Sequence, residues 1–375
     1  MKTRVCEMFG IELPIFAFSH CRDVVAAVSK AGGMGVLGAL AYSPEQLEIE
    51  LKWIDDNVDG KPYGVDVVMP AKVADLAGTS GGDVEPEKMA AQFGEMIPPQ
   101  HREWLDRLLA EHNIPELPEE EQTGGALLGW VHEKGRQQVD VALSHDIKLL
   151  ANALGSPPED VVNLAHEHGV KVAALCGTVA QAERHVARGV DVVVAQGTEA
   201  GGHTGEVSSL VLWPEVVDAI GPDTPVLGAG GIGDGRQIAA ALALGCEGVW
   251  TGSIWLTTAE SDSSPLVQEK LMAATSRDTV RSRSWTGKPA RMLRTEWTEA
   301  WEREDSPGYL PMPLQYMLIS NAQRRIGRSQ NPELTTMPVG QVVGRMNKVR
   351  PVRDVMFDLV EEFVEATEGV HKLVE

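Results

Sequence analysis

Apolar residues in this chain fall into short unbroken runs. Each run is followed by a segment in which apolar positions recur every three or four residues. Runs of this kind, rich in Val, Ile and Ala and ending on Gly or another small residue, predict strands covered on both faces. The segments between them predict helices packed on a parallel sheet. Eight runs stand out, at about 11–18, 33–40, 62–69, 147–154, 170–176, 190–196, 224–230 and 247–252. The helix signals agree: Ser43 to Asn57 opens on a capping serine followed by a proline, and Pro158 to His168 is closed by Gly169. An open doubly wound sheet has the same local pattern, but eight units without a second set of strands favour an α/β fold of the TIM (β/α)8 barrel type.

Two intervals depart from the rhythm. The stretch 71–145 is far longer than an ordinary connection and reads as a helical insertion after the third strand. Within it, Pro98 to His112 is amphipathic, with Trp104, Leu105, Leu108 and Leu109 on one side, while 79–87 and 114–125 are rich in Gly, Pro and Glu. It leaves the barrel at the C-terminal end of a strand, the face where barrel enzymes keep their active sites, so a lid is expected. Beyond Ser253 the pattern reads as helical, including 311–328, 338–347 and 354–368. It is taken as the last barrel helix plus an appended helical segment. The expected organisation is a barrel built from 1–70 and 146–275, an insertion at 71–145, and a C-terminal helical segment, 276–375, packed on the barrel.

Composition narrows the function classes. Of 375 residues, 43% are hydrophobic and 23% charged, and no apolar run is long enough to span a bilayer. The 33 basic and 54 acidic residues give a net charge of −21, which repels nucleic-acid backbones and anionic lipid surfaces. A small-molecule substrate is therefore expected, without nucleic acid or membrane, and a homodimer is compatible with the sequence. Cys6, Cys21, Cys176 and Cys246 form no CxxC pair, which argues against a disulfide framework or a metal site, and the first residues lack a secretory pattern. A cytoplasmic protein is the expectation. The unusual feature is glycine, 38 residues against 5% aromatics.

Three glycine-rich segments follow the last strands. Gly228 to Gly235 leads from a strand into a helix, where unpaired amides and the helix dipole favour phosphate. Its match to GxGxxG is weak, since it opens the seventh unit and no acidic residue follows about 20 positions on. Trp250 to Ser253 ends the eighth strand, and barrels commonly bind phosphate with the loops after strands seven and eight together. Ala195 to Gly205 runs off the sixth strand with four glycines that could let backbone press against a flat ligand. It carries His203, whose ordinary pKa lies near neutrality, as the proton-transfer candidate.

These segments carry a resemblance. AQGTEAGGHTG, PVLGAGGIGDG, TGS, TGKPAR at 286–291 and PVGQ at 338–341 are similar, in order and spacing from about residue 9 to 368, to the nitronate monooxygenase family, formerly 2-nitropropane dioxygenases. The resemblance implies a TIM barrel holding FMN non-covalently and oxidising nitronates or nitroalkanes with O2. It implies that Gln196, Gly201 and Gly202 line the flavin, that Gly230, Gly231, Gly252 and Ser253 hold its phosphate, and that His203 is the base or substrate-orienting residue. Ala17 and Phe18, in the first-strand loop, would pass beneath the ring. Two departures lie beside that ring: Phe18-Ser19-His20-Cys21 replaces the family's usual Pro-Met, and Asp66 stands where the family has asparagine. His20 and Cys21 are secondary candidates.

Rival readings remain. The same loops resemble enoyl-acyl-carrier-protein reductase II and NADH:quinone reductases, which implies an NAD(P)H-dependent flavin reductase. The basic cluster Arg277, Arg281, Arg283, Lys288, Arg291 and Arg294 could meet an acidic carrier protein. A dehydrogenase resembling IMP dehydrogenase would need a nucleophilic cysteine, for which Cys176 is the candidate, and a flavin-binding module without catalysis is the remaining class. The nine tryptophans read as core or lid packing, and Tyr309 and Tyr316 as groups that could reach the barrel mouth.

Overall fold

The computed structural model describes residues 1–69, 92–118 and 132–374. The chain builds β1 (Ile15–Ser19), β2 (Met34–Gly38), β3 (Tyr63–Val67), β4 (Leu149–Asn152), β5 (Lys171–Cys176) and β6 (Val192–Gln196) in parallel succession. It then places a two-residue strand, β7 (Gly202–His203), outside the barrel before adding β8 (Val226–Ala229) and β9 (Gly248–Thr251). The eight strands other than β7 close in sequence order, β9 pairing back onto β1 through Phe16 and Trp250. The TIM barrel read from the apolar runs is the observed fold, with each strand inside its run except β1, which continues one residue past it to Ser19.

Strand alternation sorts side chains into two layers. Phe16, Met34, Val36, Leu149, Val194 and Trp250 belong to the cluster that fills the interior. The short helix Arg4–Phe9 adds Val5 and Phe9 to the same cluster. Residues one position away, such as Ile15, Ala17, Val193 and Val249, pack against the outer helices. The helix signals also hold: Ser43 accepts from the Gln46 amide at 3.1 Å at the start of helix Pro44–Asn57.

The C-terminal part differs from its sequence reading in two respects. First, 276–375 is not helical throughout. β10 (Thr279–Ser282) and β11 (Ala290–Leu293) form an antiparallel hairpin that pairs with β7, and 338–347 holds only a short 3-10 turn, Gln341–Arg345. These strands are short, and sequence periodicity cannot separate them from turns. Second, the helix that packs between those following β1 and β8 is the last of the chain, Val352–His371. Met356 and Leu359 bury against Val24, Val28, Ile238 and Ala241. Residues 258–351 therefore interrupt the eighth unit between its strand and its outer helix, rather than following it.

The insertion's amphipathic helix is present as Pro99–Glu111, and its apolar face packs on the C-terminal helices rather than on the barrel. Trp104 lies 4.6 Å from Trp301, within a cluster that includes Trp297, Leu314 and Leu318. Of the polar stretches at 79–87 and 114–125, the first and the second from residue 119 onward lie outside the described residues.

Candidate active site

His203 is placed by an edge rather than by its own loop. β7 pairs with β11 so that His203 faces Ala290 and Gly202 faces Arg291. From the turn between β10 and β11, buried Thr286 brings its Oγ1 to 2.6 Å from His203 Nε2 and accepts from the Lys288 amide at 3.4 Å. Burial, assisted by the Lys288 ammonium, holds the imidazole pKa down to about 4, so the ring is neutral near physiological pH. If Oγ1 donates to Nε2, the neutral ring keeps Nδ1–H as a donor. If Nε2–H donates, Nδ1 keeps a lone pair.

The loop behind His203 is braced from distant parts of the chain. The Glu199 carboxylate accepts from the Ser209 amide at 3.0 Å and hydroxyl at 2.9 Å. The Gln341 amide donates to Glu199 O at 2.9 Å, and Arg291 Nε donates to Thr198 O at 2.9 Å. A Cβ on Gly201 would lie 2.8 Å from the Gly340 nitrogen, so glycine there answers to the Pro338–Gln341 segment. Gly202, with φ of 75°, has open space where a side chain would project. The four glycines of this loop were expected to serve a flat ligand; Gly197 and Gly205 likewise face protein, Ser209 and Gly177 respectively.

The Gly228–Gly235 segment needs a similar correction. Its helix N-terminus is already filled: Asp234 and Gln237 form a capping box, and the Gly235 amide donates to Glu362 of the last helix at 2.9 Å. A Cβ on Gly235 would lie 2.2 Å from Phe363 N, so this glycine serves helix packing. The open donors lie earlier. Gly230 and Gly231 have φ of 93° and 75°, and their amides donate to no acceptor among the described residues. Nearby, Gly252 has nothing within 4 Å of a Cβ position, and Ser253 Oγ accepts from the Gly340 amide at 2.8 Å.

On the barrel side, Gln196 ends β6 in register with Ala229. Ala17 and Phe18 sit within the β1 ladder and not in a loop, Ala17 packing outward and Phe18 inward, 6.4 Å from the Trp250 ring. Asp66, on β3, is 3% exposed and faces the interior, and neither carboxylate oxygen has a hydrogen-bond partner. His20 Nδ1 donates to Gly38 O at 2.9 Å, and Cys21 Sγ donates to Glu260 O at 3.1 Å, so both have structural ties. Cys176 points into the outer layer, its thiol pushed up to about 12 by burial, which is unsuited to a nucleophile. Tyr316 packs near Val68 and Ala153 at the ends of β3 and β4, whereas Tyr309 stacks on Trp301 in the tryptophan cluster.

Nothing in the sequence assigned Thr286 or Glu199 a role, and Lys288 was read only as part of a basic cluster. The signal was the strings TGKPAR and PVGQ, whose contact with His203 and its loop is tertiary.

A barrel with a histidine, free backbone donors and an unpaired acid gathered at the C-terminal ends of its strands is the arrangement of an α/β-barrel enzyme. Comparison with known proteins makes the class specific: residues 2–362 match the family model described as nitronate monooxygenase, and the chain belongs to that family of oxidoreductases. It is 56% identical to a Mycobacterium tuberculosis protein named as a monooxygenase, Rv1533, over 100% of both chains. It is 28% identical to a Staphylococcus aureus protein named as a nitronate monooxygenase, over 96% of this chain and 97% of that one. Among solved structures, nitroalkane oxidase from Streptomyces ansochromogenes superposes with a TM-score of 0.78 at 26% identity, covering 98% of this chain and 99% of the other. FabK from Thermotoga maritima superposes with a TM-score of 0.74 at 27% identity, covering 100% and 99%.

Proposed function

We propose that this enzyme binds FMN and oxidises nitronates with O2, with His203 orienting the substrate rather than deprotonating it. The residues present fit the cofactor. The unpartnered amides of Gly230 and Gly231, with Gly252 and Ser253, would hold its phosphate. Gln196, Gly202, Asp66 and the backbone of Gly201 would line the ring, with the backbone of Ala17 and Phe18 beneath it. FMN bound there would carry electrons from substrate to O2.

The observation that carries the choice of role is the short Thr286 contact to a half-buried, neutral His203. A base whose conjugate acid has a pKa of about 4 is poorly matched to removing a carbon-bound proton near neutral pH. A neutral imidazole that takes a hydrogen bond from Thr286 at Nε2 presents Nδ1–H to an anion, and the Lys288 ammonium favours the same charge. A nitronate arrives already deprotonated and needs positioning only.

The likeness to FabK keeps an NAD(P)H-dependent reductase as the second reading. The basic cluster lends it little support: Arg291 is buried on Thr198 O and Thr279 Oγ1, and Arg281 turns toward Thr204 O. The deciding experiment is an absorbance spectrum of the purified protein followed by anaerobic addition of NADH, NADPH and propionate-3-nitronate in turn. Bleaching by the nitronate alone is expected. Rapid bleaching by either nicotinamide would establish the reductase instead, and a protein that stays colourless after FMN is added would end both readings.

A further inference from the structure

Asp66 has a carboxylic acid where its surroundings offer no partner. It faces the barrel interior in register with Gly38 on β2 and Ala151 on β4, beneath the rim where Phe18 ends the aromatic lining. Neither oxygen is hydrogen-bonded. The nearby Ala153 amide is already directed to Val67 O at 3.4 Å. Leaving a buried ionised carboxylate unpaired costs several kcal/mol, which the neutral acid avoids. Burial accordingly raises its pKa to about 7, with the Ala153 amide acting in the opposite sense.

The groups around it do not supply a counter-charge. Gly38 and Ala151 face it from the flanking strands. His20 folds over Gly38, where a Cβ would lie 2.7 Å from its ring, but its Nδ1 is tied to Gly38 O. Tyr316 reaches the same rim from the helix Leu314–Ser329, and Lys134 enters from the helix His132–Leu143 beside Glu45. His203 and Lys288 stand across the mouth, on the β6 side.

We propose that Asp66 is a proton-holding contact for the flavin: its neutral carboxyl donates a hydrogen bond into the ring site, so that cofactor binding is coupled to the protonation of this one residue. The inference rests on the FMN reading and deepens it. An asparagine at this position would donate at every pH; an aspartic acid donates only while protonated. Binding therefore draws on the protonated fraction of the apoprotein, and affinity falls as pH rises through the pKa of Asp66.

The test is FMN affinity of the apoprotein, read by quenching of flavin fluorescence from about pH 6 to about pH 9, for the wild type, Asp66→Asn and Asp66→Ala. Above its pKa the wild-type Kd should weaken by up to about tenfold per pH unit. Asp66→Asn should bind with a Kd that changes less than about twofold over the range, and Asp66→Ala should bind weakly but with an equally flat profile. A wild-type profile as flat as that of Asp66→Asn, or the same slope in all three proteins, overturns the proposal and leaves the FMN reading standing. Absence of FMN binding by wild type at every pH overturns both. Far-ultraviolet circular dichroism of each variant separates lost binding from lost fold, and the wild-type slope decides the matter even if a variant fails to fold.

Discussion

At the scale of single residues, the site depends on a few polar contacts that cross long stretches of chain. His203→Asn should retain FMN while nitronate turnover falls at least about a hundredfold, as measured by oxygen uptake. Unchanged turnover would remove His203 from the chemistry. Thr286 is the residue whose position only the fold discloses. Thr286→Val should lower kcat about tenfold with FMN affinity unchanged, because it removes one hydrogen bond that fixes the imidazole. Thr286→Ser should restore kcat, a rescue that a packing role would not give. The histidine was legible in the sequence because a glycine-rich loop after a barrel strand gives it little packing reason to be there. Thr286 was not, because nothing local distinguishes a threonine in a turn from one that ends on an imidazole.

At the scale of elements, glycine content misled where packing and ligand contact share a residue type. Gly235 reads as part of a phosphate cradle, yet the last helix approaches so closely that its amide and its missing side chain serve Glu362 and Phe363. Gly201→Ala should move the His203 loop away from Pro338–Gln341 and cost about 1–3 kcal/mol, seen as a lower midpoint in denaturant unfolding. A different pair of elements is clamped by charge. His145, leading into β4, meets Asp55 at 2.6 Å and Glu48 at 3.0 Å, both on the helix after β2. Burial opposes the charged imidazole, but the two carboxylates outweigh it and raise its pKa. A raised folded-state pKa contributes stability that is fully present below the unfolded value of about 6.5 and is lost as pH climbs through the folded one. The loss of unfolding free energy in His145→Gln should therefore be largest near about pH 6 and shrink toward about pH 9; a pH-independent loss would assign His145 to packing alone.

At the scale of the whole molecule, the helix Pro99–Glu111 of the insertion and the helix Leu314–Ser329 of the C-terminal segment form one structural unit in the described residues, joined through tryptophans, whereas the helices His132–Leu143 and Val352–His371 of the same two segments pack on the barrel. Trp104→Ala should cost about 3–5 kcal/mol in unfolding free energy, because the ring is buried against Trp301 and Trp297. The same unit borders the turn that carries Thr286: Gln315 Nε2 donates to Ser284 O at 3.2 Å, and Trp285 packs on the tryptophan cluster. The sequence alone determined the barrel and its strand positions and marked His203 as the candidate, since each depends on periodicity or composition within a few residues. The amphipathic helix of the insertion was readable for the same reason. Tertiary structure decided what that helix covers, which glycines meet protein and which meet open space, where the eighth outer helix comes from, and which hydroxyl holds His203. Those outcomes are contacts between segments far apart in the chain, and local patterns fix which face of an element is apolar but not the partner that buries it.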